Sequence, residues 1–155
     1  MNIKHLFIAL IAAAFLSSAI DTKDALKEGG KAPEITYNDG SKENLKDGKL
    51  RLINLWSPKD PLSRIENKEL NDLVSRESLQ NVEFISICTD SDDLLAKEVI
   101  AYDDLKSGTH ILFSEISERS LKDYMAEGDS KILLIGSDGL ILKTDEDVRE
   151  YLLSI

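Results

Sequence analysis

INLWSPKDPLSR, residues 53–64, joins the end of an apolar strand to the start of a helix. The strand is the run LRLINLW at residues 50–56, which predicts a buried strand because it is short and strongly apolar. Asp60 is a favourable N-cap and Pro61 suits the first helical position, so a helix is predicted from Pro61 to about Arg76. A strand that runs directly into a capped helix is the junction around which the other elements are placed.

The rest of the chain alternates apolar runs with helical patterns. Residues 81–88, NVEFISIC, predict a second buried strand, and residues 131–135, KILLI, predict a third. Strand, helix and strand in succession imply parallel pairing in a covered sheet, and the turn at 137–139 predicts a closing antiparallel hairpin that makes the sheet mixed. The other predicted elements are a weak N-terminal hairpin about the turn at 38–40, helices at 94–105, 114–125 and 145–153, and strands at 110–113 and 140–143, with Thr144 capping the last helix.

The first 19 residues have the features of a secretory signal peptide. Lys4 precedes an uncharged apolar run at 6–16, and small residues at 17–19 offer a cleavage point after Ala19. An N-terminal core helix is the alternative interpretation. The apolar run is shorter than the roughly 20 residues that span a bilayer, and no cysteine follows it to carry a lipid anchor. We therefore expect a tail at 20–31, one domain at 32–155, a periplasmic or secreted location, and no stable membrane anchor after cleavage.

The charge of the chain limits the kinds of partner that it can bind. Its 19 basic and 29 acidic residues give a formal net charge of −10. Cleavage would remove Lys4 and no acidic residue, which leaves 18 basic residues and a net charge of −11. A nucleic-acid partner is not expected, because phosphate binding needs clustered lysine and arginine, and an anionic membrane surface is disfavoured for the same reason. The single cysteine, Cys88, cannot form an internal disulfide.

Four segments occur in an order that resembles the secreted thioredoxin-like proteins of the TlpA/ResA type. They are Gly30-Lys31-Ala32-Pro33, the turn Asn38-Asp39-Gly40, the junction at 53–64, and the turn Asp138-Gly139 near the end. The resemblance covers nearly all of the chain after the signal peptide. It implies a thioredoxin-like three-layer α/β sandwich with a mixed central sheet and an N-terminal β-hairpin. It also implies a site where the strand ends and the helix begins.

Three residues depart from the pattern of that family. Asp60 stands where the nucleophilic cysteine belongs, Ser63 where the resolving cysteine belongs, and Ser130 where the cis-proline belongs. The family chemistry needs a thiolate at a helix N-terminus and a second thiol one turn away. Because a cis bond before a residue other than proline costs about 3–4 kcal/mol, we expect a trans bond before Ser130. The degenerate active-site positions are Trp56, Asp60, Pro61, Leu62, Ser63 and Ser130.

The residues that remain at this site have structural interpretations as well as functional ones. A carboxylate at Asp60 is favoured as a helix cap over a catalytic group. Ser63 and Glu66 form the pattern Ser-x-x-Glu, which predicts a capping box one turn later. Trp56 is expected to pack at the edge of the core rather than to hold a ligand. Three basic residues could make a locally positive binding surface, but scattered solvated charge is the preferred interpretation: Lys59, Arg64 and Lys131.

Other chemistry has little support in the sequence. Cys88 is expected to be a buried apolar filler, at the far end of a different strand from the active helix, and a reactive thiol is the alternative. His110 is the only histidine after the signal peptide, so no metal site is predicted. A nucleophilic set of Ser63, His110 and Asp60 can be written down, but nothing in the sequence brings His110 close to the other two. No phosphate-binding loop is present, and no cofactor is expected.

These observations lead to one preferred function and two alternatives. The preferred hypothesis is a redox-inactive thioredoxin-like protein of the cell envelope, which uses the old active-site groove to bind a peptide or protein and is not expected to be an enzyme. The first alternative is a thiol-disulfide oxidoreductase or peroxiredoxin-like antioxidant protein acting through Cys88. The second is a structural subunit of an envelope complex.

Overall fold

The computed structural model describes residues 26–76, 79–125 and 131–155. The predicted signal peptide, the first half of the predicted tail and the position of Ser130 lie outside these residues. In the described part, strands and helices alternate in chain order. They are β1 (Leu50–Trp56), α1 (Pro61–Val74), β2 (Val82–Cys88), α2 (Asp93–Tyr102), β3 (Thr109–Ile111), α3 (Glu118–Met125), β4 (Ile132–Ile135), β5 (Ile141–Thr144) and α4 (Glu146–Ser154).

The five strands form one mixed sheet in the order β3-β2-β1-β4-β5. β1 pairs in parallel with β2, and β2 with β3, while β4 is antiparallel to both β1 and β5. The parallel register places Trp56 opposite Cys88 at the carboxyl ends of β1 and β2. The predicted mixed α/β sheet is therefore confirmed, and the end of β1 that leads into α1 lies in its centre.

Both faces of the sheet are covered, because successive residues of a strand point to opposite sides. Leu52 packs with residues of α1 and α4 on one face, and Ile53 packs with residues of α3 and the N-terminal segment on the other. This arrangement is the predicted three-layer sandwich. The helical residues that complete the two faces are Leu70, Leu73, Val74, Val148 and Leu152 on the first, and Leu121 and Tyr124 on the second.

The N-terminal hairpin is shorter than the sequence suggests. Thr36 and Lys42 form one antiparallel bridge, and the N–H of Tyr37 donates to the carbonyl of Ser41 at 2.8 Å. Residues 26–31 follow the edge of the sheet, where the N–H of Gly29 donates to the carbonyl of Ile141 at 2.8 Å. This contact covers part of the exposed edge of β5.

The start of α4 corrects one prediction. Thr144 is the last residue of β5 and does not cap the helix, because Asp145 occupies the cap position. Asp145 has a positive φ of 47° and makes no cap hydrogen bond of its own. Its carboxylate instead accepts from the N–H groups of Lys131 at 2.7 Å and Ile132 at 3.2 Å. The carboxylate of Asp145 thus binds the backbone where β4 begins and does not cap α4.

Helix boundaries differ from the predictions for local reasons. α3 begins at Glu118 rather than at residue 114, because the preceding residues form a turn in which the N–H of Glu115 donates to the carbonyl of Leu112 at 3.0 Å. α2 ends at Tyr102, shortly before Asp104 takes a positive φ of 56°, which a helix cannot continue through. No helix in the described ranges is both long and apolar enough to cross a membrane.

Candidate functional site

The N-terminus of α1 is held by Asp60, as predicted. Asp60 has extended backbone angles, with φ −97° and ψ 111°, and Pro61 begins the helix. The Oδ1 atom of Asp60 accepts from the N–H of Leu62 at 3.0 Å and, less closely, from that of Ser63 at 3.4 Å. The carboxylate therefore satisfies N–H groups that have no partner inside the helix.

Ser63 has a different role from the predicted one. It is the third residue of α1 and is buried, and its hydroxyl accepts from the N–H of Ser57 at 3.1 Å. The predicted capping box of Ser63 and Glu66 is wrong, because Asp60 already occupies the cap and Ser63 lies inside the helix. The hydroxyl instead ties the loop after β1 to the first turn of α1.

A small cavity of about 170 Å³ opens beside this helix start. Its walls include the apolar side chains of Leu55, Trp56 and Tyr124. Trp56 and Tyr124 are each only 1% exposed, so most of each ring lies in the core and limits the depth of the cavity. The remaining lining residues are Ser57, Asp60, Ser63, Thr89, Met125 and Lys131.

The structure brings four of the nine predicted site residues to this cavity. Trp56, Asp60, Ser63 and Lys131 line it together. Leu62 is 78% exposed and does not line it. Pro61 lines a separate depression on the outer side of α1, with Arg64. The position of Ser130 is outside the described residues, so its peptide bond stays a prediction.

A locally positive surface, the less favoured interpretation, does not form, because two of its three basic side chains are paired with acids. Lys59 pairs with Asp90 at 2.8 Å. Arg64 makes two hydrogen bonds to Asp103, at 2.5 and 2.6 Å, and its guanidinium lies 5.3 Å from the ring centre of Tyr102. Only the Lys131 ammonium has no ion pair with a residue that the structure describes.

Cys88 lies close to Trp56 but is inaccessible. The two residues are neighbours in the register of β1 and β2, so Cys88 is at the same end of the sheet as the start of α1, not at the far end as predicted. Its side chain is fully buried and packs in one cluster with Trp56 and Ala96. Burial raises the pKa of the thiol, which donates to the carbonyl of Asp90 at 3.4 Å. Both observations agree with the predicted role of an apolar filler.

His110 belongs to a different part of the molecule. It pairs with Ser86 in the register of β2 and β3, and its Nδ1 atom lies 2.7 Å from the Ser86 hydroxyl. The set of Ser63, His110 and Asp60 therefore does not assemble. Burial lowers the pKa of His110. The described residues contain no group of three potential metal ligands.

The contact between Ser86 and His110 was not predicted. These two residues lie 24 positions apart, and nothing in the local pattern of either strand links them. Only the register of β2 with β3 places their side chains on the same face.

A mixed sheet of this order, covered by helices on both faces and carrying its site where β1 ends and α1 begins, is a thioredoxin-like fold. No protein-family model matches the sequence, and no curated protein matches it either. Similar solved structures include a thioredoxin-like protein from Parabacteroides distasonis, with a TM-score of 0.65, 25% identity, and coverage of 83% of this chain and 96% of that one.

Two further structures show the same likeness. A thiol:disulfide interchange protein from Bacteroides sp. has a TM-score of 0.65 at 21% identity, over 84% of this chain and 91% of its own. A secreted disulfide oxidoreductase from Mycobacterium tuberculosis has a TM-score of 0.56 at 14% identity, over 79% of this chain and 95% of its own. The chain thus has the fold of thioredoxin-like thiol-disulfide oxidoreductases along most of its length.

Proposed function

We propose that this chain is a redox-inactive thioredoxin-like protein of the cell envelope that holds a peptide or protein partner in the cavity beside α1. The observation that carries the proposal is the site itself. The cavity lies at the end of β1, and the Asp60 carboxylate at the N-cap of α1 and the Ser63 hydroxyl in its first turn stand where the family that the sequence resembles has its two cysteines.

Disulfide exchange begins with a thiolate that attacks a disulfide sulfur and ends when a second thiol releases the mixed disulfide. Neither Asp60 nor Ser63 can take part in either step. Cys88 carries the only thiol of the chain. Its burial keeps it from a substrate, and its raised pKa lowers the fraction present as thiolate. The oxidoreductase or peroxiredoxin-like alternative through Cys88 gains no support from this position.

The size of the cavity favours a peptide side chain over a free small molecule. Pockets for small molecules and cofactors usually enclose about 300–1,000 Å³. The cavity of about 170 Å³ is smaller than this range, and the walls formed by Leu55, Trp56 and Tyr124 are apolar or aromatic. One apolar side chain of a longer partner fits such a space, and the rest of the partner then lies along the surface.

We assign the protein to the periplasm or the extracellular space. The support is the signal-like sequence at residues 1–19, together with a fold shared with a disulfide oxidoreductase that is itself secreted. A partner of this protein is then an extracytoplasmic peptide or protein.

Two measurements on the purified protein test the redox part of the proposal. Reduction of insulin disulfides by dithiothreitol should proceed no faster with this protein than without it, while an active thioredoxin accelerates it. Labelling of Cys88 with a thiol reagent should be slow in the native protein and fast in urea, because the thiol is buried. Insulin reduction above the background rate would refute redox inactivity, and the Cys88→Ala variant would show whether that thiol is responsible.

Trp56 provides a direct signal for the binding part. It is the only tryptophan in the chain, and it lines the cavity. A partner segment that enters the cavity should therefore change the intrinsic fluorescence. A partner that binds without any change in the fluorescence of Trp56 would place the binding surface elsewhere.

A further inference from the structure

The basic side chains near the start of α1 are neutralised within the protein. Lys59 pairs with Asp90, and Arg64 pairs with Asp103. Farther along the same helix, Lys68 pairs with Asp72 at 3.1 Å. Since each of these cations already faces a carboxylate, none of them offers a full positive charge to a partner.

The acids around the cavity are not neutralised in the same way. A second depression of about 740 Å³ also has Lys131 in its lining, so the two spaces adjoin at this residue. Its charged lining includes Arg149, which pairs with Glu69 at 3.0 Å. The other charged residues of this lining are Glu66, Asp145, Glu146, Asp147 and Lys131.

Counting these charges gives the sign of the surface. Four carboxylates line the second depression, and Asp60 adds a fifth at the rim of the cavity. None of the five forms an ion pair with a residue that the structure describes. Lys131 is the single cation against them, because the positive charge of Arg149 is balanced by Glu69. The surface beside the apolar cavity is therefore negative, within a chain whose net charge is −10.

We propose that the partner segment presents an apolar side chain to the cavity and a lysine or arginine, next to it in the segment, to the acidic depression beyond Lys131. This inference rests on the proposed function and names the chemistry of the partner. A negative surface attracts a basic segment at long range and repels an acidic one, and the attraction weakens as salt is added. The apolar contact alone would select for size and not for charge.

The test uses three pools of short peptides that differ only in charge. Each pool has one position occupied by leucine, isoleucine, methionine or phenylalanine, flanked by lysine, by glutamine or by glutamate. Binding to the purified full chain is followed by the fluorescence of Trp56 and by calorimetry, at about 50 mM and about 300 mM salt. The lysine pool should bind about tenfold more tightly than the glutamate pool at the lower salt concentration and lose most of this advantage at the higher one.

A matched pair of variants locates the effect. Glu66→Gln removes one carboxylate from the acidic depression, and Glu98→Gln removes one from the exposed surface of α2, where it lines neither cavity. Glu66→Gln should weaken binding of the lysine pool about threefold and leave the glutamine pool unchanged, while Glu98→Gln should change neither.

The outcomes separate this inference from the proposed function. Equal or tighter binding of the glutamine or glutamate pool would overturn the basic partner and leave the binding module intact. An equal effect of Glu66→Gln and Glu98→Gln would also overturn it, because the selectivity would then come from net charge alone. If no pool binds and the fluorescence of Trp56 does not change, the peptide-binding function itself fails.

Discussion

Replacing Asp60 with alanine removes the N-cap of α1, and the expected loss of stability follows from its two hydrogen bonds. The bond to the N–H of Leu62 has good length at 3.0 Å, whereas the one to Ser63 is long at 3.4 Å and contributes little. Removal of one effective cap costs about 1 kcal/mol. In a domain of this size, such a loss lowers the melting temperature by about 2–4 °C.

Two further variants separate the hydrogen bond from the charge. Asp60→Asn keeps an acceptor oxygen and loses only the attraction between the carboxylate and the helix dipole. Its free energy of unfolding should therefore fall by only about 0.3 kcal/mol. Asp92 caps α2 through the N–H of Leu95 at 3.1 Å, and Asp92→Ala should therefore destabilise the protein about as much as Asp60→Ala.

Urea unfolding followed by circular dichroism, together with thermal melts, measures all three variants. The two alanine variants should differ in peptide binding, because Asp60 lines the cavity and Asp92 does not. An Asp60→Ala protein as stable as the wild type would refute the capping role. Equal losses in Asp60→Ala and Asp60→Asn would show that charge rather than the hydrogen bond stabilises the helix start.

Three more predictions concern a buried asparagine pair, a half-buried histidine and the buried thiol. The side-chain amide of Asn54 donates to the side-chain oxygen of Asn67 at 2.8 Å. Asn67→Ala leaves this buried amide without its partner and should lower the free energy of unfolding in urea by about 1–3 kcal/mol. An unchanged free energy of unfolding would contradict the contribution of this hydrogen bond. The pKa of His110 is lowered in the folded state, so the unfolded state binds a proton at higher pH, and stability should fall as the pH drops below 6.5. His110→Gln should reduce this fall in thermal melts recorded from pH 7 to pH 5. An unchanged dependence of stability on pH would mean that other groups cause it. Cys88→Ala should lower the melting temperature by enlarging the space beside Trp56, and an unchanged temperature would mean that the thiol is not closely packed.

The sequence was sufficient for the elements that depend on local patterns. β1 has the predicted bounds of Leu50–Trp56, and α1 begins at Pro61 behind the predicted cap. These features depend on the order of apolar residues, on proline and on one carboxylate, all within a dozen positions. The order of the segments also led to the thioredoxin-like fold, since the spacing of strands and turns resembles that of this fold and does not depend on the reactive residues.

The electrostatics of the site depend on contacts that are distant in the sequence. Lys59 and Asp90 are 31 positions apart, and Arg64 and Asp103 are 39 apart. Each pair forms only because the parallel pairing of β1 and β2 brings the loop after β2 and the end of α2 beside α1. Nearby lysines and arginines in the sequence therefore made a positive surface conceivable, whereas in the folded chain two of the three cations are neutralised by carboxylates. The same limit explains why Cys88 was placed far from the helix start.

Asp60 and Ser63 stabilise the start of α1, because each accepts hydrogen bonds from backbone N–H groups. Asp60 accepts from the first N–H groups of α1, and Ser63 accepts from the N–H of Ser57, which fixes the loop that follows β1. A smaller apolar residue at either position would leave these donors without a partner and would loosen the wall of the cavity. Neither side chain can carry out disulfide exchange, and both hold the wall of the cavity in shape, as the proposed function requires of a site that binds a partner without reacting with it.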